Sequence, residues 1–139
     1  MRRFGQSSAA LLLAAHGERR DGAANEGVAR LAAVLRSRGI AREVAAGFVK
    51  GEPPIPVSLR SLGDRHVIVY PLFLADGHFV RERLPRLLEA GVTEGARRSI
   101  TLLPPLGLDP LFPGVVARQA VAAAQARGLS SWQADMVLL

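Results

Sequence analysis

Short apolar runs alternate along the chain with segments in which apolar residues recur at helical spacing. The first run, residues 9–15, contains only Ala and Leu, which is typical of a strand buried on both faces of a parallel sheet. Further strands are predicted over residues 43–49, 66–74 and 99–103. Because Pro71 has no N–H to donate to a neighbouring strand, it is expected either near the end of the strand that contains it or at an irregularity in that strand.

Each predicted strand is followed by a predicted helix. The helices are expected over residues 24–38, 55–62, 84–90 and 110–127, and Asp109 is placed to cap the last of them. This order predicts an α/β domain with a mainly parallel sheet of four to five strands and helices on both faces.

The last residues, 134–139, begin another apolar run that resembles the opening of the first strand. One interpretation is a fifth strand that closes a single domain over residues 1–139. The other is that the chain is one half of a longer two-domain protein, cut near 134–139. A length of 139 residues fits one ordinary domain in either case.

Composition narrows the class of protein. Hydrophobic residues make up 49% and charged residues 22%, which excludes an intrinsically disordered chain. The absence of cysteine excludes disulfide frameworks, cysteine zinc sites, iron–sulfur clusters and thiol nucleophiles. No apolar run reaches the roughly 18 residues needed to span a membrane. Arg2 and Arg3 ahead of residues 9–15 resemble a secretory signal only superficially, since no clear cleavage site follows, and we expect a cytoplasmic protein.

The charge is one-sided, with 18 basic residues against 12 acidic ones and a net charge of +6. All the basic residues except Lys50 are arginines, which suit bidentate recognition of carboxylate or phosphate. The excess either follows genome composition or indicates an anionic partner. Aromatic residues are only 5%, and no RNA-binding aromatic motif is present, so we expect no nucleic-acid partner.

Two histidines follow predicted strands directly. His16 comes after the first strand and His78 after the third, each beside a glycine, Gly17 or Gly77, that permits close approach of a ligand. If the first and third strands are neighbours, both imidazoles reach one crevice, where they could bind a divalent metal weakly and accept a proton. The alternative is that each histidine only bonds to its own loop. His66 begins a strand, so it is expected at the opposite edge.

Several common sites are absent from the sequence. It has no phosphate-binding loop, no glycine motif for a dinucleotide, no nucleophile elbow and no metalloprotease motif. We therefore expect no organic cofactor. Arginines beside the two histidines, such as Arg19, either attract substrate carboxylates or lie on an exposed surface.

Three segments in this order carry a family resemblance. Residues 15–21, followed by Ala24–Asn25, resemble the His-Gly-Ser-Arg-Asp opening of the small class II chelatases of sirohydrochlorin. Residues 70–80, followed by Leu84–Pro85, resemble that family's Pro-Leu-Phe-Leu, Gly-x-His-Val and Asp-Ile-Pro block. Residues 105–107 are similar to its third block.

The resemblance implies a flavodoxin-like chelatase fold and a lyase that inserts cobalt or iron into a sirohydrochlorin-type tetrapyrrole, on the path to cobalamin or siroheme. The divalent metal is then a substrate. A homodimer, or pairing with a second chelatase-like half, is also implied. The implied site comprises His16 and His78 as catalytic and metal-binding residues, with Gly17, Arg19, Gly77 and Phe79 binding the tetrapyrrole.

The sequence departs from the family at two positions. Glu18 stands where the family usually has Ser, and alignment on Leu84–Pro85 puts Phe79, not His78, at the second histidine. Either the loop turns His78 into the site or this chain has lost that ligand. Two other functions stay open: a non-catalytic carrier of tetrapyrrole or metal, and a module that binds another small anion.

Overall fold

Four parallel strands form one sheet in a computed structural model that describes residues 8–20, 23–96 and 98–129. The strands are β1 (Ala10–Ala15), β2 (Val44–Phe48), β3 (Val67–Pro71) and β4 (Ile100–Leu102). The α-helices are α1 (Ala23–Ser37), α2 (Ile55–Ser61), α3 (Leu84–Gly91) and α4 (Phe112–Ala126). A π-helix, Phe79–Arg83, leads into α3, and a short 3-10 helix spans Leu106–Leu108.

The sheet order is β2-β1-β3-β4, which makes β1 and β3 neighbours as the flavodoxin-like fold requires. In the centre of the sheet, Leu12 of β1 lies opposite Ala45 on one side and Val69 on the other. Since all strands are parallel, the carboxyl ends of β1, β2 and β3 meet at one edge. The predicted α/β class is confirmed.

Alternating side chains of β1 enter two separate cores. Ala10, Leu12 and Ala14 pack on the face covered by α2 and α3, where Leu59 and Leu84 are fully buried. The opposite face is covered by α1, and its buried members are Leu13, Ala32, Ala41 and Val44. This double burial explains why β1 contains only Ala and Leu.

Several boundaries differ from the predicted ones. β3 ends at Pro71 rather than at residue 74, because proline donates no ladder hydrogen bond. α4 begins at Phe112 rather than at residue 110, because the Asp109 carboxylate accepts a hydrogen bond from the Leu111 N–H in a turn ahead of the helix. The strand predicted for 134–139 lies outside the described residues.

The chain divides into two compact units, residues 1–107 and 108–139. The first contains the sheet, α1, α2 and α3, and the second contains α4. Among the residues that the structure describes, no helix combines the length and the apolar character needed to cross a bilayer.

Candidate functional site

His16 is the first residue after β1, at the edge where three strand ends meet. Its backbone carbonyl accepts a hydrogen bond of 2.7 Å from the Lys50 N–H, which continues the pairing of β1 with β2 past the last strand residue. The side chain is exposed. The backbone of His16 is therefore fixed while its imidazole is open to solvent and to a ligand.

Gly17 makes this arrangement possible. It adopts a φ of +73°, and a Cβ at this position would collide with the Lys50 carbonyl oxygen and with the Phe48 side chain. Only glycine combines that dihedral angle with so close an approach. Gly77, which the sequence placed in an equivalent role, borders open space, so the two glycines are not equivalent.

The side chain packed against His16 is Phe79. The two rings meet edge to face, with centroids 4.8 Å apart and planes at 85°. Phe73 stacks against Phe79 with centroids 6.2 Å apart and planes at 13°. We call His16, Phe73 and Phe79 the aromatic group; its two phenyl rings are half-buried and form an apolar surface beside an exposed imidazole.

The π-helix places Phe79 in this group. The Leu84 N–H donates to the Phe79 carbonyl across five residues, and the buried Val80 anchors the turn in the core. The turn starts at Gly77, whose carbonyl accepts hydrogen bonds from the Val80 and Arg81 N–H groups. π-helical turns are rare and are frequent at functional sites.

His78 precedes the π-helix and is oriented differently. Its side chain is 66% exposed, and its Nδ1 lies 3.5 Å from the Glu82 carboxylate, one turn further along. A second pair on this segment joins Arg81 to Asp76 at 3.0 Å. The structure thus places a phenyl ring, rather than a second imidazole, against His16.

Across the described residues, no three or more histidine, aspartate or glutamate side chains lie close enough together to hold a metal ion. The metal-ligand roles of His16 and His78 stay predictions. A single exposed imidazole suits a metal that passes through the site better than one that is retained.

Exposed basic residues lie on the segments around the strand ends that carry the aromatic group. Arg19 follows the His16 loop and is exposed, as is Lys50 on the adjoining loop. Arg83 and Arg86 are exposed on the segment that carries Phe79. These exposed side chains are candidates for binding the carboxylates of an anionic ligand.

Residues 105–107, the third block of the sequence motif, support the loop that carries Phe73. The Gly107 N–H donates to the Phe73 carbonyl at 2.9 Å, and a Cβ on Gly107 would collide with the Leu74 carbonyl. This block therefore supports the aromatic group from behind. Motif spacing gave no sign of this role.

Sequence reasoning also missed Asn25, in the first turn of α1. Its side-chain amide hydrogen-bonds both the N–H and the carbonyl of Glu18. The pair Ala24–Asn25 was part of the family resemblance, which was the available signal. His66 lies where it was expected, at the opposite edge of the sheet, hydrogen-bonded to the Ser99 and Thr101 hydroxyls.

A cavity of about 620 Å³ lies along the outer edge of β2. Its walls come from α1, β2 and α2, and they include Ala29, Ala46 and Val57. The aromatic group lies instead at the carboxyl ends of the strands, where ligands bind in open α/β sheets. We place the functional site there because that edge holds the exposed imidazole.

Comparison with known proteins places this arrangement among chelatases. The family model CbiX matches residues 10–123. A protein of Halobacterium salinarum described as "Probable sirohydrochlorin cobaltochelatase" is 34% identical over 79 residues, which is 57% of this chain and 27% of that protein.

Solved structures agree. CbiX, the terminal enzyme for biosynthesis of siroheme in denitrifying bacteria, aligns with a TM-score of 0.69 and 34% identity, over 86% of this chain and 49% of that one. A CbiX protein assigned to cobalamin biosynthesis, from Marinobacter aquaeolei VT8, aligns at 0.63 and 27% identity, over 86% and 98%. The multi-domain DR2241 of Deinococcus radiodurans aligns at 0.71 and 28% identity, over 82% and 28%. The chain thus spans about a quarter of the Halobacterium relative and about half of the siroheme enzyme.

Proposed function

Because the chain belongs to the CbiX family of class II chelatases, we propose that it inserts a divalent metal ion, cobalt or iron, into a sirohydrochlorin-type tetrapyrrole. The metal and the macrocycle are both substrates, and no organic cofactor takes part. The observation that carries the proposal is the exposed imidazole of His16, fixed beside Phe79 at the carboxyl ends of the strands.

His16 accepts a proton in this mechanism. When M²⁺ forms bonds to the pyrrole nitrogens, the macrocycle loses two N–H protons. One proton passes to an imidazole nitrogen of His16 and the other to solvent, and the imidazole can bind the incoming metal ion before it accepts the proton. The exposure of the side chain suits this exchange, since protons and metal ions must both reach it.

The aromatic group supplies the surface on which the macrocycle lies. Phe73 and Phe79 present an apolar patch that can pack against a flat conjugated ring. In this proposal Arg19 binds carboxylates of the macrocycle rim. Gly17 lets the His16 loop pack closely against Lys50 and Phe48, and Gly77 borders open space that the macrocycle can approach. His78, in the loop after β3, is the second ligand in this proposal only if that loop turns its imidazole toward His16 during the reaction.

The proposal extends to the assembly and the metal. The chain aligns with nearly the whole of one solved CbiX protein and with half of another. We therefore propose that it works as a homodimer or beside a second chelatase-like half, in the cytoplasm. The preferred metal is identified by letting Co²⁺ and Fe²⁺ compete in the insertion assay described next.

Metal insertion tests the proposal directly. Purified protein is incubated anaerobically with sirohydrochlorin and Co²⁺, and the absorption change is compared with a reaction that lacks protein. We expect His16→Ala to lower the insertion rate by about a hundredfold or more, the usual contribution of a positioned proton acceptor. His66→Ala, which removes an imidazole from the opposite edge, is the matched control and keeps its rate.

A non-catalytic carrier is the second candidate function. The observation that favours it is that a phenyl ring, Phe79, lies against His16 where the family resemblance implies a second histidine. A carrier binds the tetrapyrrole saturably without accelerating insertion. Wild-type protein that binds sirohydrochlorin but does not exceed the uncatalysed rate would replace the first proposal with this one.

A further inference from the structure

The Asn25 side chain bonds both backbone polar groups of one residue in the His16 loop. Its Oδ1 accepts a hydrogen bond of 2.9 Å from the Glu18 N–H, and its Nδ2 donates one of 2.9 Å to the Glu18 carbonyl. Asn25 itself is half-buried in the first turn of α1. The amide therefore ties the loop after β1 to the helix in the way that a paired strand would.

A third segment, which contains Gly51, lies close against this pair of hydrogen bonds. A Cβ on Gly51 would lie 2.5 Å from the Glu18 carbonyl oxygen and 2.6 Å from Asn25 Nδ2. The neighbouring Lys50 N–H donates to the His16 carbonyl at 2.7 Å. The loops after β1 and β2 thus meet at the Asn25 amide, and the backbone from His16 to Glu18 is held on two sides.

We propose that Asn25 is a positioning residue for His16. By fixing Glu18, it fixes the direction in which the chain leaves β1 and hence the placement of the imidazole against Phe79. This inference rests on the proposed function for its effect on rate, whereas its effect on the His16 ring does not depend on any activity. Residues that orient a reacting group in this way change rates without contacting the substrate.

A purely structural role for Asn25 makes the opposite prediction. In the first turn of a helix, an Asp side chain is as favourable as Asn or better, because its negative charge complements the helix dipole. Asp also has nearly the same shape as Asn. However, a carboxylate cannot donate to the Glu18 carbonyl, and it would place a second oxygen against that carbonyl. Asn25→Asp therefore separates helix stabilisation from loop positioning.

The experiment compares wild type, Asn25→Asp and Asn25→Ala. Insertion kinetics give kcat and the KM for sirohydrochlorin, and the imidazole ¹H–¹⁵N spectrum reports on His16. We expect Asn25→Asp to fold normally, to lower kcat about ten- to a hundredfold with KM within about twofold, and to shift the His16 ring signals. Ser37→Ala, which removes a side-chain bond to the Val34 carbonyl at the other end of α1, is the matched control and leaves both readouts unchanged.

Each other outcome overturns a specific statement. Wild-type kcat and unshifted His16 signals in Asn25→Asp overturn the positioning role, and so does a loss of rate that only tracks a loss of folded protein. If Asn25→Asp does not fold, Asn25→Ala is judged by the same two readouts. If wild type shows no insertion but Asn25→Asp still shifts the His16 signals, the proposed function fails while the positioning role stands.

Discussion

The loops after β1 and β3 leave the sheet at the same edge, but the neighbouring backbone holds them differently. After β1, the backbone carbonyl of His16 accepts a hydrogen bond from the Lys50 N–H, and Gly17 is packed too tightly to accept a Cβ. After β3, Gly77 borders open space and the chain turns into the π-helix Phe79–Arg83. The first loop fixes its histidine in place, whereas the second leaves His78 outside and brings in the next residue.

This difference separates what topology decides from what the local backbone decides. Parallel strands in the order β2-β1-β3 bring both loops to one edge, whatever their sequences are. Which side chain then faces His16 depends on how the chain enters the π-helix, and there it is Phe79, the first residue of that turn. A histidine in the right loop is therefore not automatically a histidine in the site.

The largest effect on the free energy of unfolding is expected at Gly17, in the tightly packed loop after β1. Gly17→Ala places a Cβ at a φ of +73° against Lys50 and Phe48. We expect it to lower the free energy of unfolding by at least about 2 kcal/mol, through backbone strain and overpacking. Urea denaturation measures this. Gly77→Ala is the matched control and should stay within about 0.5 kcal/mol of wild type; equal losses in both variants would remove the contrast between the loops.

An imidazole in place of Phe79, in the loop after β3, should strengthen metal binding. Phe79 contacts the His16 ring, so Phe79→His puts two imidazoles side by side. We expect Co²⁺ to bind about tenfold more tightly, which corresponds to roughly 1.4 kcal/mol. Isothermal titration calorimetry with Co²⁺ alone gives the affinity. Phe73→His, on the ring stacked behind Phe79, should show no such gain; an unchanged affinity in Phe79→His would mean that the two rings do not share one ligand position.

The smallest effect is expected at His78. Its imidazole is two-thirds exposed, lies 3.5 Å from the Glu82 carboxylate and meets the Phe79 ring edge to face. Because the Phe79 ring, not His78, lies against His16, His78→Ala should leave the insertion rate within about twofold of wild type. The same absorption assay decides it. A loss as large as that of His16→Ala would show that the loop turns His78 inward during the reaction.

Much of this architecture could be predicted from the sequence for a physical reason. The run of Ala and Leu in β1 indicates a strand that is buried on both faces, as the structure shows. The order of strands and helices restricts the sheet to a few topologies. Burial leaves a periodic trace in the sequence. The expectation that Pro71 ends its strand is confirmed, because the missing N–H acts locally.

The rest depends on individual contacts, some of them between segments far apart in the sequence, which leave no periodic trace. The alignment on Leu84–Pro85 raised Phe79 as the residue at the second-histidine position but left His78 as the alternative, because the π-helical turn over residues 79–83 was not predicted. The Asn25 amide bonds Glu18, which lies seven residues earlier, and no periodic pattern in the sequence indicates this pair. The shift of α4 to Phe112 likewise follows from one bond, between Asp109 and the Leu111 N–H.

The central position of β1 has a consequence for motion at the site. Outer strands and loops open by local fluctuation, while amide hydrogens on a strand paired on both sides exchange only in rarer, larger openings. β1 is paired along its length with β2 and β3, and His16 follows its last residue. The imidazole therefore follows one of the two inner strands of the sheet, whose amide hydrogens we expect to exchange slowly, so local opening of the outer segments leaves it in place.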